Sequence, residues 1–458
     1  MAFLSRVAGV LWCPWLLGLF LLTGLVYSAG SGFFQLFGWR RWWRATVGSL
    51  SRPRRGGRNG LSSLQALTTA LASTMGTGSI AGVATALTLG GPGAILWMWV
   101  SALLGMMTSC GEKLLAVRYQ RPGPGGALRG GPMYYLRDGV GAPRLAACFA
   151  LAGLPATLAG GDLVQSSSIA TALEAAFHLP RLPVGLATAL LAGLVILGGI
   201  GRIARVSSAL VPAMALLYLG SGAAVLLARA SAIPEALSLI FTCALDPAAA
   251  LGGGAGWTVA SALRYGVARG VFTNEAGLGT SAMAHGAAQA DHPARQGMWG
   301  IFEVFVSTLL VCSVTALVIL VSGVYVPEEA LFQLQSSQVP GSSLGVPLTA
   351  RAFASVLGSA GEWVVALSLI LFAFSSILGW SCYGQQGLRY LTGGDRFLPL
   401  YRAVFLGCIV LGAVSDVSPL WQLVDLCNAL MALPNLTALL LLSPQALGCL
   451  RAWAGTQK

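Results

Sequence analysis

The chain alternates long apolar segments with short polar connections, and this pattern limits it to a fold inside a membrane. A hydrocarbon core about 30 Å thick requires about 20 apolar residues per helix. Only 9% of the residues are charged, whereas soluble domains contain about 25%. We predict an all-α membrane protein with about eleven transmembrane helices, near residues 7–37, 64–89, 94–117, 145–177, 184–199, 207–227, 258–284, 299–321, 352–385, 399–414 and 420–442.

The net charge of +12 is explained by the positions of the basic residues. The connection after the first segment holds seven arginines, and positively charged loops stay in the cytoplasm. Alternation from there assigns 21 of the 27 basic residues to the cytoplasmic side and four to the outside, with Arg264 and Arg269 inside the seventh segment. This predicts an outside N-terminus and a cytoplasmic C-terminus in a bacterial-type inner membrane. A surface that binds polyanions is the less favoured alternative.

The first apolar segment has two interpretations. Arg6 precedes it and small residues follow at 28–30, as in a cleaved signal peptide. However, seven basic residues follow the segment, and it is longer than the 7 to 15 residues of a usual signal core. We predict a retained helix.

The predicted organisation has three parts. Residues 1–60 form an extra N-terminal helix and a basic loop, residues 61–443 form a ten-helix core, and residues 444–458 form a cytoplasmic tail. The core is predicted to contain two repeats, at about 61–228 and 258–443. Two longer outer connections, 229–257 and 323–351, are candidate lids.

Glycine and polar residues interrupt the second and the seventh apolar segments. Residues 68–83 read TTALASTMGTGSIAGV, and residues 268–284 read ARGVFTNEAGLGTSAMA. An unwound helix leaves N–H and C=O groups free to bind ligands, and the half-helix that follows points its positive end at an anion. Such paired interruptions indicate the binding site of a transporter. The alternative is that these glycines only allow close helix packing.

Acidic residues inside the apolar segments are a second indication of function. They are Glu112, Asp162, Glu275, Glu303 and Glu362. We expect Glu112 at the end of its segment beside Lys113, and Glu362 near an interface. Asp162 and Glu275 are therefore the stronger candidates.

Several long blocks, in order from Ala66 to Gly384, resemble the alanine or glycine:cation symporter family. They are ALTTALASTMGTGSIAGVATAL, GGPGAILWMWVSALLGM, GGPMYYL, FTNEAGLGTSAMAHGAA, DHPARQGMWGIFEVFV and LFAFSSILGWSCYG. The resemblance implies a leucine-transporter-type fold, with five plus five helices in inverted repeats, two of them discontinuous, and here one extra N-terminal helix. It also implies import of a small neutral amino acid driven by sodium, or by protons in some members, without an organic cofactor.

The same resemblance implies the site residues. The substrate carboxylate would be bound at Thr77, Gly78 and Ser79, and the opposite wall would consist of Phe272, Thr273, Asn274 and Glu275. Gln165 and Trp380 would complete the pocket. A sodium ion would be bound by the adjacent hydroxyl residues Ser375 and Ser376 and by the nearby Phe372. Ala72, Thr74 and Met75 of the first interrupted helix would complete the site.

The chain also departs from the family pattern. Ser79 replaces the usual asparagine of GTGN, Ser307 replaces an aspartate, and Asp162 appears where the family usually has GNxVQxN. We hypothesise that Asp162 pairs with the substrate ammonium or serves as a cation or proton ligand. The alternative is a structural partner for Arg264 or Arg269. Ser79 weakens the case for a second sodium site.

Three other functions compete with a carrier. A channel would show a continuous pore or a repeated filter sequence, and neither is evident. An enzyme would need a nucleophile with its base or a set of metal ligands, but the three histidines have no suitable spacing and the nine cysteines form no CxxC pair. A transport-deficient amino-acid sensor is a further alternative. The sequence does not specify the preferred amino acid.

Overall fold

The computed structural model describes residues 14–50, 60–123, 126–246, 258–326, 342–417 and 420–456, which are mostly helical. Among these residues, six helical runs are long and apolar enough to cross a membrane: Ala94–Arg118, Pro143–Phe177, Gly199–Ala228, Pro293–Val321, Ser359–Thr392 and Leu420–Leu441. Shorter apolar helices accompany them. The prediction of an all-α membrane protein is confirmed. The total of eleven spans and the inverted repeat stay predictions.

The first half of the chain contains a small antiparallel strand pair on an otherwise helical background. Its strands are β1 (Arg121–Pro122) and β2 (Leu128–Arg129). The helices are α1 (Pro14–Gly30), α2 (Phe34–Phe37), α3 (Trp39–Ala45), α4 (Ser63–Thr74), α5 (Ala81–Gly90), α6 (Ala94–Arg118), α7 (Pro132–Tyr134), α8 (Pro143–Leu158), α9 (Val164–Phe177), α10 (Arg181–Ile196), α11 (Gly199–Ala228) and α12 (Ile233–Leu245). Short 3-10 turns lie at Val47–Ser49, Thr77–Ser79 and Ala230–Ala232, and π-helical turns at Tyr135–Gly139 and Ala159–Leu163.

Helices make up most of the described residues of the second half. Its helices are α13 (Val259–Asn274), α14 (Thr280–His285), α15 (Pro293–Val304), α16 (Ser313–Val321), α17 (Ser342–Leu357), α18 (Ser359–Thr392), α19 (Leu398–Val414), α20 (Leu420–Leu441) and α21 (Ser443–Thr456). A π-helical turn, Phe305–Cys312, joins α15 to α16.

Local sequence explains where the two interrupted segments begin. Ser62 and Gln65 form a capping box at the start of α4, and Thr258 and Ser261 form one at the start of α13. Each box satisfies backbone N–H groups that a helix terminus leaves without partners. Both interrupted segments therefore begin as capped helices. Their regular backbone hydrogen bonds end close to the glycines, after Thr74 and Asn274.

One sequence expectation needs correction, and two predicted connections contain helices. The predicted single helix at 352–385 is two helices, because the chain turns at Gly358 with a φ of +60° between α17 and α18. The outer connection at 229–257 contains α12, and the predicted tail at 444–458 contains α21. Residues 1–13, 247–257 and 327–341, which include parts of the first segment and of both candidate lids, lie outside the described residues.

The two interrupted segments lie within a ring of longer helices. The first segment, α4 and α5, packs against α11, α17 and α18, while the second, α13 and α14, packs against α6 and α4. Helix α18 is largely buried, whereas α10 and α11 expose leucines such as Leu190, Leu194 and Leu216 on their outer faces. An exposed apolar face of this kind suits contact with lipid tails.

Candidate functional site

The first interruption leaves three consecutive backbone N–H groups free. Helix α4 ends at Thr74, Gly76 is extended, and the 3-10 turn Thr77–Ser79 leads into α5. Ser79 and Ile80 donate their N–H groups to the carbonyls of Gly76 and Thr77, at 3.1 and 3.2 Å. Within the described chain, the N–H groups of Gly76, Thr77 and Gly78 have no backbone acceptor. Such a group of N–H donors at a helix start is suited to an anion.

The second interruption is closed internally by a carboxylate. Helix α13 ends at Asn274, Glu275 has a left-handed φ of 54°, and α14 begins at Thr280. Glu112 Oε1 accepts hydrogen bonds from the N–H groups of Gly277 (2.9 Å) and Gly279 (3.0 Å) and from the Asn435 side chain (2.7 Å). The positive end of α14 is therefore already neutralised by the protein.

Glu112 belongs to a network of charged side chains that is fully buried. Lys113 Nζ lies 3.4 Å from Glu112 Oε2 and 3.5 Å from Glu303 Oε2, and it donates to the hydroxyls of Ser109 and Ser281. His285 Nε2 lies 3.3 Å from the same Glu303 oxygen. Glu112 lies toward the C-terminal end of α6, as expected, but it is buried there, and the buried Lys113 does not belong to the cytoplasmic loop charge. Separation of one partner would leave an uncompensated buried charge, so the network fixes α6, α14 and α15 together.

A small cavity lies between the two interruptions. Its volume is about 30 Å³, room for roughly two or three waters. It is lined by Ser73, Thr74, Gly76, Thr77, Gly78, Gly160, Gln165, Phe272, Thr273, Glu275, Leu278, Trp380, Val424 and Asn428. The structure thus brings together eight of the residues singled out by the sequence: Thr74, Thr77, Gly78, Gln165, Phe272, Thr273, Glu275 and Trp380.

Two amide side chains present unsatisfied oxygens at this cavity. Gln165 Nε2 donates to the Gly160 carbonyl at 3.1 Å, but Gln165 Oε1 and Asn428 Oδ1 accept no hydrogen bond within the described part of the chain. Buried polar atoms normally have partners, so two free acceptors at one cavity indicate a ligand that donates. Sequence reasoning missed Asn428, although an asparagine within an apolar segment was a usable signal.

Three of the predicted substrate-binding residues do not line the cavity. Ser79 is buried, and its carbonyl accepts from the Thr315 hydroxyl at 3.0 Å. Asn274 accepts from the Ala276 N–H and faces Phe20 and Gly105 on the α6 side. Asp162 is fully buried in the π-helical turn Ala159–Leu163.

Asp162 is isolated from hydrogen-bond donors. Neither of its carboxylate oxygens has a partner among the described residues, and no described ion pair joins it to Arg264 or Arg269. Arg269 instead lies over the Phe272 ring, 5.9 Å from its centre. A buried carboxylate without donors is costly when ionised, so Asp162 requires a proton or a cation to be accommodated.

The adjacent hydroxyl pair connects α18 to the end of α4. Ser375 Oγ donates to the carbonyls of Ala72 (3.0 Å) and Phe372 (2.9 Å), and Ser376 Oγ lies 3.2 Å from the Ala72 carbonyl and 3.3 Å from that of Ser73. Four of the six predicted cation ligands, Ala72, Phe372, Ser375 and Ser376, are therefore in contact. Of the other two, Thr74 lines the central cavity and Met75 is buried beside it. Hydroxyl and carbonyl oxygens are the donors that hard cations prefer.

A wide vestibule lies on one side of the small cavity. Its volume is about 790 Å³, and its walls come from α9, α17, α18 and α20, including Val164, Ser168, Glu362 and Trp421. Val164 and Trp421 lie within one helical turn of the cavity residues Gln165 and Val424. Elsewhere, the backbone of Leu61 pairs with Ala287 and Gln289, which ties the start of α4 to the segment after α14.

The sequence matches the model of the sodium:alanine symporter family over residues 1–458. A sodium/alanine symporter, AgcS, of Methanococcus maripaludis is 37% identical over 96% of this chain and 94% of its own length. An uncharacterized transporter of Haemophilus influenzae is 42% identical over 95% of this chain and 92% of its own. A probable sodium/glutamine symporter, GlnT, of Bacillus subtilis is 34% identical over 99% of this chain and 92% of its own.

The fold is similar to that of a solved transporter. The manganese transporter of Eremococcus coleocola superposes with a TM-score of 0.54 at 17% identity, covering 85% of this chain and 78% of that chain. This similarity concerns the fold alone.

Proposed function

This chain belongs to the sodium:alanine symporter family, and from that premise we propose that it imports alanine or glycine together with sodium by alternating access. Family membership makes it a multi-pass membrane transporter that couples amino-acid symport to a cation, not an enzyme. The observation that carries the proposal is the cavity between the two interruptions, with free donors on one wall and free acceptors on another.

The substrate carboxylate binds at the first interruption. Gly76, Thr77 and Gly78 offer three free N–H groups there, whereas Glu112 already occupies the N–H groups of Gly277 and Gly279. A second carboxylate near α14 would meet the negative charge of Glu112, and like charges repel strongly where water is excluded. The two interruptions therefore have different roles.

The substrate ammonium binds to Gln165 Oε1 and Asn428 Oδ1. Neither oxygen has a donor among the described residues, and both residues line the cavity. The remaining wall is formed by the large apolar side chains Phe272, Leu278 and Trp380. These side chains limit the space for a substrate side chain, which favours alanine or glycine over larger amino acids.

Sodium binds between α4 and α18, at Ser375, Ser376 and the carbonyls of Ala72 and Phe372. The hydroxyls already lie within hydrogen-bond distance of these carbonyls, so a cation needs only side-chain rotation to gain four oxygens. A bound cation would join α4, which carries the carboxylate site, to α18, which carries Trp380. Occupation of one site therefore pre-organises the other, which couples the two ligands.

Alternating access uses the vestibule and the opposite, closed face. The vestibule residues belong to segments whose ends are predicted to lie outside, and the Leu61 to Gln289 pairing belongs to ends predicted to lie inside. The described conformation then corresponds to a carrier that is wider on the outer side. Import requires this pairing to open after the substrate is enclosed.

Counterflow of labelled alanine in proteoliposomes tests the proposal. With alanine inside and a sodium gradient across the membrane, we expect transient accumulation of label that vanishes when choline replaces sodium. A leak without exchange would indicate a channel, and binding without exchange would indicate a sensor. Accumulation that follows a proton gradient without sodium would identify the proton-coupled alternative, for which Asp162 is the candidate group.

A further inference from the structure

A second, basic pocket shares no lining residue with the central cavity, and we propose that it binds the phosphate headgroup of an anionic phospholipid. The pocket has a volume of about 400 Å³ and lies between α3, the start of α15 and the end of α21. It is lined by Arg41, Arg44, Ala45, Asp291, His292, Arg295 and Trp453. None of these residues takes part in the proposed transport mechanism.

The pocket carries an excess of positive charge. Among the described lining residues, three guanidinium groups accompany one carboxylate, and Arg295 forms an ion pair with that carboxylate, Asp291, at 3.1 Å. Arg41 and Arg44 make no ion pair or side-chain hydrogen bond with any residue that the structure describes. Two unpaired guanidinium groups in one pocket are suited to phosphate oxygens, because each offers a planar set of N–H donors.

The start of α15 adds further donors on the same wall. His292 Nδ1 accepts the N–H of Ala294 at 3.1 Å, so in the neutral ring the hydrogen is on Nε2, which can donate. Helix α15 begins at Pro293, and its positive dipole end faces this region. Both features favour an anion beside Arg41 and Arg44.

The surroundings favour a lipid over free phosphate. Along α3, Arg40, Arg41 and Arg44 occupy one face and three tryptophans occupy the other. Trp42 is buried and donates to the Gln35 carbonyl at 3.1 Å, whereas Trp39 and Trp43 are exposed beside Phe37, whose side chain is 82% exposed. Exposed tryptophans next to arginines are typical of a helix lying at a membrane interface.

The predicted topology places the pocket at the appropriate leaflet. The pocket residues come from three separate segments, and each is predicted to be cytoplasmic. The structure brings these segments together. The cytoplasmic leaflet carries anionic lipids. Each basic side chain near the surface contributes about 1 kcal/mol to the free energy of binding to them.

The test measures binding of short-chain phosphatidylglycerol to the purified full-length protein, by thermal shift and by native mass spectrometry. We expect the lipid to raise the unfolding midpoint of the wild-type protein, and Arg41→Gln and Arg44→Gln each to weaken binding roughly fivefold. Arg40→Gln is the matched control, because Arg40 lies on the same helix and stacks on Trp39 at 5.5 Å without lining the pocket.

Each other outcome overturns a defined part of the proposal. Unchanged binding in Arg41→Gln and Arg44→Gln, or an equal loss in Arg40→Gln, would exclude the pocket as the site. Equal stabilisation by short-chain phosphatidylcholine would exclude recognition of the anionic headgroup. Equal stabilisation by inorganic phosphate would overturn the assignment to a lipid. Native mass spectrometry of the folded species keeps the comparison valid if a variant is less stable.

Discussion

At the scale of single residues, the proposed coupling depends on a few oxygens that lie between two helices. Ser375 and Ser376 on α18 reach the last carbonyls of α4, next to the three free N–H groups that begin at Gly76. Removal of one of these hydroxyls should therefore weaken cation binding and leave the amino-acid site in place.

Ser376→Ala should raise the sodium concentration for half-maximal alanine uptake by about tenfold or more, because it removes one oxygen ligand of a charged species. Uptake at saturating sodium should be largely retained. Ser381→Ala is the matched control, since Ser381 is equally buried in α18 and its hydroxyl bonds only the Leu378 carbonyl among the described residues. Sodium titrations of initial uptake rates check this; equal effects of the two variants would contradict the cation site.

Asp162→Asn should shift the sodium or proton dependence of uptake by about fivefold or more, because it removes a buried carboxylate that has no partner among the described residues. The measurement is uptake into proteoliposomes over a range of sodium concentrations and pH values. Glu235→Gln, an exposed acid in the first turn of α12, serves as the control. Unchanged transport with unchanged cation dependence would rule out a functional role for Asp162.

At the scale of elements, the two interrupted helices are held open by different means. The N–H groups of Gly76, Thr77 and Gly78 in the first interruption have no backbone acceptor among the described residues. The second interruption is fixed by hydrogen bonds to Glu112 and Asn435 and by glycines with left-handed backbone conformations. We therefore expect the second interruption to tolerate substitution poorly even though it contributes fewer groups to the substrate.

Gly277→Ala should lower the unfolding midpoint and abolish most uptake. Gly277 has a φ of +97°, and an added Cβ would lie 2.6 Å from the Phe20 ring. The expected cost is about 1–3 kcal/mol. Gly407→Ala in α19, where a Cβ meets nothing within 4 Å, should instead leave the protein unchanged or slightly more stable. Thermal unfolding in detergent compares the two, and equal midpoints would contradict this account.

At the scale of the whole molecule, the proposed mechanism requires one face to be open at the vestibule and the other to be sealed. The sealed face includes the Leu61 to Gln289 backbone pairing and the contacts of Asp395 with Arg129 (3.2 Å) and Arg389 (2.8 Å). All of these groups come from segments predicted to be cytoplasmic. The direction of transport therefore depends on the predicted orientation of the chain.

Cysteine labelling checks that orientation. In a background without exposed cysteines, Leu179→Cys should react with a membrane-impermeant maleimide in intact cells, because the connection between α9 and α10 is predicted to be outside. Gly394→Cys, between α18 and α19, should react only after permeabilisation. The reverse pattern would invert the predicted topology and exchange the roles of the vestibule and the sealed face.

The sequence by itself determined the membrane class, the two interrupted helices and most of the residues around the cavity. The membrane class and the two interruptions follow from local properties: apolar length, helix-breaking glycines, and polar residues where a bilayer penalises them. Thr77 and Gly78 belong to the first interruption, whereas Gln165, Phe272 and Trp380 were implied by the resemblance to a known family. All five line the cavity, and their part in substrate binding stays a prediction.

Only the tertiary structure decided which polar groups have partners. Asn428 and Gln165 meet at one cavity across more than 260 residues of chain, and Glu112 reaches Gly277 across a separation of 165. Such contacts depend on how the helices pack, which no local pattern contains. Packing alone also showed that Asp162 lies apart from the cavity and that Glu112 is buried. A side chain's role here is set by the partners that folding supplies, because a membrane interior provides no water to substitute for them.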